Sequence, residues 1–284
     1  MSGFIRTDTR RGDFLGDFFD FGGSTLAGSR DIPVPFFLFN STKPPDFLDV
    51  PVQPNWKSTR SQQAMDESPR FLKPEEDISK YGLKLPHWQQ DHSTYFLTFR
   101  LADSIPHGKL AKWREERMIW MQVHPPPWST EDEMEYHKRF SRAIERWLDG
   151  GEGACVLEEQ RAADAVREVL LAKDGERFLQ HAFVVMPNHV HALVSLGQDE
   201  ALDDLLKIWK GVSSRRINLA MERSGELWQA NYFDRVIRDG EHFWNCAKYI
   251  RRNPTKARLT ADRYLLHESE MVRRELDRRE RMKE

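Results

Sequence analysis

The stretch FVVMPNHVHALV, residues 183–194, decides the reading of this chain. Phe183, Val184, Val185 and Met186 form a continuous apolar run, as expected of a strand covered on both faces. Pro187 and Asn188 make a tight turn, and Ala192, Leu193 and Val194 carry a second strand back into the core. Alternate residues of a strand point to the same face, so His189 and His191 emerge together. Two imidazoles held this way on rigid strands are suited to grip one divalent metal. Two ligands do not complete such a site, and a third must come from elsewhere in the chain.

Working outward, TYFLTFRL at 94–101 is aromatic and β-branched and predicts a strand. Residues 109–122 carry Leu110, Trp113, Arg117 and Trp120 at three- and four-residue steps, which predicts a helix. Ser129 followed by Asp132 predicts a helix N-terminus, with the helix running to about Leu148. Gly150, Gly151 and Gly153 mark a loop, and residues 158–171 predict a third helix. A strand over 177–186, the returning strand over 189–196, and a long amphipathic helix over 199–221 follow. A short strand is expected within 227–237, then a helix over 241–253 stopped by Pro254. Setting aside the two extra helices after the first, the order is βαββαβ with one more helix. That order predicts an α+β, ferredoxin-like sandwich with inserted helices.

The segment KYIRRNP, residues 248–254, supplies the missing chemistry. Tyr249 and Asn253 are four apart on a helix and share a face. Asn253 offers an amide oxygen to a hard cation, and Tyr249 offers a phenol. A free phenol, with a pKa near ~10, is a poor nucleophile at neutral pH. A neighbouring cation makes it useful by stabilising the phenolate and polarising the group under attack.

Composition bounds the rest. The chain has 284 residues, is 39% hydrophobic and 31% charged, and has no apolar run near the ~18 residues of a membrane span. Arg6, Arg10 and Arg11 are not followed by an apolar core with a small-residue cleavage site, so no secretory leader is expected. Cys155 and Cys246 cannot build a disulfide framework or a four-cysteine zinc site, and they suit a cytoplasmic location. The net charge of −2 argues against a nucleic-acid binder, but its distribution does not. Residues 205–258 hold twelve Lys and Arg against five Asp and Glu, a basic segment in an otherwise acidic chain. Within it Lys207, Lys210, Arg215 and Arg216 recur along one helix with Trp209 between them. This predicts a surface that tracks a phosphate backbone beside a stacking platform. Lys248, Arg251 and Arg252 flank the tyrosine and suit phosphate contact.

Residues 1–84 differ in texture. They hold eight of the 15 prolines, six of the 16 glycines before residue 30 and ten of the 17 phenylalanines, and predict a poorly ordered extension. Gly23–Gly28 has phosphate-loop spacing, but Ser29 and Arg30 follow where Lys and then Ser or Thr are required. Met65 is a candidate alternative start. The expected organisation is an extension over 1–84, a catalytic domain over 85–265, and a charged helical tail over 266–284.

FVVMPNHVHALV, LWQANYFDRVIRD and KYIRRNP together resemble the REP-associated tyrosine transposases, relatives of the single-tyrosine HUH transposases of insertion sequences. LPHWQQDHSTYFLTFRLADSIP is similar to that family's opening strand, so the likeness covers about residues 85–265. It implies a metal-dependent single-strand DNA endonuclease and strand transferase acting at palindromic hairpins. His189 and His191 match the metal ligands and Asn253 falls where relatives place a polar third ligand. Tyr249 matches the nucleophile that forms a 5′-phosphotyrosyl link, and Mg²⁺ or Mn²⁺ is the implied metal. Tyr232, Asp234 and Arg235 match the stretch before the tyrosine helix and are expected near the site. Single-stranded or hairpin DNA is the implied partner, and the chain would act as a monomer or a homodimer. A histidine-triad hydrolase is the weaker alternative, because Leu193 stands where its third histidine belongs. A catalytically silent hairpin-binding protein is the alternative from another class.

Overall fold

The computed structural model describes residues 68–73, 79–81, 87–89, 92–125, 129–198 and 200–282. Most of the expected extension, with Gly23–Gly28 and Met65, lies outside the described residues. The chain forms β1 (Ser79–Tyr81), β2 (His87–Gln89), β3 (Thr94–Arg100), α1 (His107–Val123), α2 (Thr130–Tyr136), a π-helical turn (His137–Ser141) and α3 (Arg142–Asp149). It continues with α4 (Gln160–Leu171), β4 (Phe178–Val185), β5 (His189–Leu196), α5 (Leu202–Ala220), β6 (Phe233–Val236), α6 (Gly240–Lys256), β7 (Leu265–Glu268) and α7 (Glu270–Arg281).

Five strands form one antiparallel sheet in the order β6-β3-β5-β4-β7. The first four positions are those of the ferredoxin-like sandwich, so the expected α+β class holds. The hairpin β4–β5 turns at Pro187 and Asn188, and β3 lies against β5 with Thr98 opposite His191 and Arg100 opposite His189. A bulge between Gln180 and Ala182 shifts the β4 register. It lets Phe178 and Phe183 face one side while Ala182 and Val184 face the other.

Each face is covered. On one, Tyr95, Leu97, Phe99, Val190, Ala192 and Val194 pack against α4 and α5. On the other, Phe96, Val184, Met186, Leu193 and Phe233 pack against α1, α3, α6 and α7. Double coverage is why the strands read as continuous apolar runs rather than alternating ones.

Three expectations need correction. The inserted helices are the first two, not the second and third: α4 partners α5 on the sandwich face, while α1 and α3 cross to the other. The reason is side-chain size. α4 buries Ala162, Ala163, Ala165, Val166, Val169 and Leu170, a small-residue face that lies close on a sheet, whereas α1 buries Leu110, Trp113 and Trp120. Second, Pro254 does not stop α6, which runs on to Lys256. Proline removes one helical N–H, but Ala257 N–H still donates to the Asn253 carbonyl at 3.0 Å and Leu259 N–H to the Pro254 carbonyl at 2.9 Å. Third, the sheet continues past residue 265, because β7 pairs with β4 and α7 follows it. The N-terminus read at Ser129 is present as a reciprocal box. Asp132 N–H donates to the Ser129 hydroxyl at 3.1 Å, and Ser129 N–H to the Asp132 carboxylate at 3.1 Å. Among the described residues no helix is long and apolar enough to cross a membrane.

Candidate functional site

β5 brings His189 and His191 to the face shared with α6, while Val190 between them is fully buried on the opposite face. The two Nε2 atoms lie 3.1 Å apart. Each ring is oriented through its other nitrogen. Asn188 donates its amide N–H to the Glu152 carbonyl at 3.0 Å, which turns its Oδ1 toward His189 Nδ1 at 2.8 Å. His189 Nδ1 therefore carries the proton and its Nε2 the lone pair. His191 Nδ1 lies 2.7 Å from the Thr98 hydroxyl on the facing strand. Burial lowers the His189 pKa to about 3 and holds that of His191 well below the usual value, so both rings stay neutral at neutral pH.

Tyr249 stands on α6 with its ring edge-on to His191, centroids 5.3 Å apart, and edge-on to Phe96 at 5.8 Å. Phe96 in turn stacks on His191 at 5.4 Å. The phenol pKa is raised well above its ordinary value, chiefly by burial and then by the carboxylates of Glu145 and Asp149. Asn253, one turn on, is buried, and its Oδ1 and Nδ2 have no hydrogen-bond partner. Its approach to the phenol lowers the phenol pKa without completing a hydrogen bond. α6 starts sharply, with the Asp239 carboxylate accepting from His242 N–H at 2.8 Å.

This donor set fits a divalent cation. Two neutral imidazoles with Nε2 atoms facing each other can share a proton in a hydrogen bond or, once that proton is lost to the Nδ1 side, a cation, and each is braced from behind as metal-binding histidines usually are. Asn253 adds an orphaned buried oxygen on the same side. Among the described residues no three His, Cys, Asp or Glu side chains cluster for a metal.

The other residues expected at the site divide. Trp209 is fully buried, edge-on to Phe178 at 5.3 Å, and is core rather than a stacking platform. Its helix α5 packs on the face of the sheet away from the histidines. Lys210 donates to the carbonyls of Gln229 and Ala230, both at 2.6 Å, and burial lowers its pKa to about 8. Arg216 pairs with Glu168 at 3.1 Å, Lys207 with Asp204 at 3.5 Å, and Arg215 is exposed. On α6, Lys248 is half-buried. Arg251 is clamped by Glu268 at 2.8 Å and Asp277 at 2.7 Å, and Arg252 lies 3.4 Å from Glu280. Arg251 therefore ties α6 to β7 and α7 instead of facing a phosphate. Tyr232 bonds Asp203, and the Arg235 guanidinium lies 5.8 Å from the Phe233 ring centre.

Sequence reasoning missed Thr98, Asn188 and Phe96. Asn188 was legible as the residue before the first histidine, but it read as a turn former only. Thr98 and Phe96 share a parity on β3, yet the register that sets them beside His191 is a tertiary fact.

The ferredoxin-like sheet thus presents a histidine pair to a helix-borne tyrosine. Residues 157–253, about a third of the chain, match the sequence profile of the IS200-like transposases, "Transposase IS200 like". His189, His191, Tyr249 and Asn253 all fall inside this segment. The chain is similar to the ISDra2 transposase TnpA of Deinococcus radiodurans, 33% identical over 79 residues, which is 25% of this chain and 55% of that protein. It thus spans about half the length of the curated relative it matches. It is also similar to a REP-associated tyrosine transposase solved bound to a REP hairpin, at 15% identity and a TM-score of 0.34, over 63% of this chain and 73% of that one.

Proposed function

We propose that the protein is a metal-dependent single-strand DNA endonuclease and strand transferase of the REP-associated tyrosine type, acting on hairpin DNA in the cytoplasm. One observation carries the reading: the two histidine Nε2 atoms converge at 3.1 Å with the Tyr249 ring edge-on to one of them. His189, His191 and Asn253 would hold Mg²⁺ or Mn²⁺, which when bound supplies Lewis-acid stabilisation of charge on the phosphate and on the phenolate. The chain's own residues do the rest. Asn188 and Thr98 fix the ring orientations of the pair. Phe96 braces both the His191 and Tyr249 rings. Tyr249 Oη gives up its proton and attacks the scissile phosphorus. The P–O3′ bond breaks, leaving a 3′-hydroxyl and a 5′-phosphotyrosyl link. A later 3′-hydroxyl reverses the step without an external energy source, because the bond energy is kept in the link. The catalytic unit would be residues 85–265 together with β7 and α7, which complete its sheet and core, as a monomer or a homodimer.

A covalent-adduct assay tests this. The full chain is incubated with Mn²⁺ and labelled single-stranded hairpins from the flanks of its own gene, beside Tyr249→Phe and His189→Ala. A metal-dependent adduct absent from both variants is the expected result. Hairpin retardation on a native gel with no adduct under any metal would replace this reading with that of a catalytically silent binding protein.

A further inference from the structure

Tyr249, Asn253 and Lys256 form one stripe along α6, at four- and then three-residue steps. Lys256 was not among the basic residues expected to meet DNA. Its ammonium lies 5.6 Å from the Tyr249 ring centre, and its charge reaches His189 and His191. Two carboxylates of the inserted helix α3 hold it there, Asp149 at 3.1 Å and Glu145 at 3.6 Å. Glu145 is buried, and its second oxygen, Oε1, has no hydrogen-bond partner. The Lys256 side chain is 48% exposed, whereas His189, His191 and Asn253 are almost wholly buried. A strand arriving from solvent therefore meets Lys256 before the histidines. Glu145, Asp149 and Lys256 all lie outside the segment 157–253 that matches the transposase profile.

We propose that Lys256 is the phosphate anchor of this site, held ready over the tyrosine by Glu145 and Asp149 of the inserted helix. The proposal rests on the reading of the site as one that takes single-stranded DNA. An ammonium has three N–H donors on a flexible stem. Two can point to the carboxylates while the third is free for a non-bridging oxygen of the strand. Arg251 cannot take this place, since its guanidinium is committed to Glu268 and Asp277. The carboxylates position the ammonium and also oppose the incoming phosphate, so the anchor exchanges partners when DNA binds. α3 thereby ties strand binding to a helix the sandwich itself does not need.

The experiment measures binding of a fluorescent single-stranded oligonucleotide against salt concentration. It uses the full chain carrying Tyr249→Phe, so that binding stays at equilibrium. Loss of one phosphate contact lowers the slope of log K against log salt by about 0.7 for a single strand. Adding Lys256→Ala is expected to lower the slope by that amount, and Lys256→Arg to preserve it. Lys256→Ala leaves two carboxylates facing each other, so the combination Glu145→Gln, Asp149→Asn, Lys256→Ala, which removes all three charges, guards against unfolding and should show the same lowered slope. Glu145→Gln alone should tighten binding by about 1.5- to 5-fold. An unchanged slope in both alanine variants overturns the proposal, as does weaker binding in Glu145→Gln. If wild-type protein forms no adduct, the nuclease reading fails by itself while the slope still decides Lys256. Absence of any salt-dependent single-strand binding would sink both.

Discussion

The two faces of the central sheet are built from the same strands but obey different rules. On the α4–α5 face, Tyr95, Leu97, Val190, Ala192 and Val194 belong to one apolar cluster that also holds Trp209. On the α6 face the alternate residues of the same strands include Thr98, His189 and His191, and Asn253 closes over them with its polar atoms unpaired. Continuous apolar packing makes the first face a platform, with the Trp209 Nε1 its one unpaired side-chain atom among those named. Unsatisfied polar atoms on the second cost stability, and the platform sustains that cost. The difference teaches that β5 alternation alone separates what holds the protein together from what it does.

The sharpest test of the contrast is Trp209→Ala. A fully buried indole lost from the platform should cost about 3–5 kcal/mol of unfolding free energy, read by denaturant titration. If Trp209 were a stacking platform for bases, stability would change little and single-strand affinity would drop instead.

A second test uses pH. His181 lies on the α6 side, edge-on to Phe243, with its Nε2 2.7 Å from the Ser195 hydroxyl, and burial lowers its pKa to about 4. A histidine kept neutral in the fold binds its proton in the unfolded chain first. Its contribution is therefore complete above pH ~6.5 and is lost as pH falls toward ~4, up to ~3 kcal/mol for one group. Stability measured against pH should fall through that window, and His181→Gln should flatten the fall. An unchanged profile would place the acid sensitivity elsewhere.

A third substitution probes how the histidine pair is held. Asn188→Ala removes the acceptor that fixes the His189 tautomer, and affinity for Mn²⁺ should weaken by about 10- to 100-fold. Calorimetric titration of the metal reads this directly. Equal affinity in wild type and variant would mean that Asn188 only shapes the turn.

The smallest effect is expected at Lys207, whose side chain is 74% exposed beside Asp204 on the far face. Lys207→Ala should change stability by less than about 0.5 kcal/mol. It should also leave hairpin affinity near the wild-type value. A large loss of affinity would show that DNA wraps to the platform side.

Much of this was legible in the residues. The hairpin over 183–194 announced itself by an apolar run, a proline–asparagine turn and a second run, and the parity of His189 and His191 follows from strand geometry alone. The four-residue step from Tyr249 to Asn253 is equally local. What failed was inference across elements. Trp209 among basic residues reads as a stacking surface or as core according to which side of α5 faces the sheet, and helical spacing does not say which sheet face the helix takes. Arg251 reads as a phosphate ligand until β7 and α7 fold back and supply Glu268 and Asp277. Pro254 reads as a stop until the buried side of α6 outweighs one missing hydrogen bond.

The sequence by itself determined the local grammar: the strands, the paired imidazoles, the tyrosine stripe and the ferredoxin-like order, because backbone periodicity and turn chemistry act over a few residues. Tertiary structure alone decided which helices are inserted, which cations are already spent on carboxylates, and that Thr98, Phe96, Glu145 and Lys256 gather around the histidines and the tyrosine. Those outcomes depend on strand register and on which face each helix covers, and both are set by contacts between residues as far apart as Thr98 and His191.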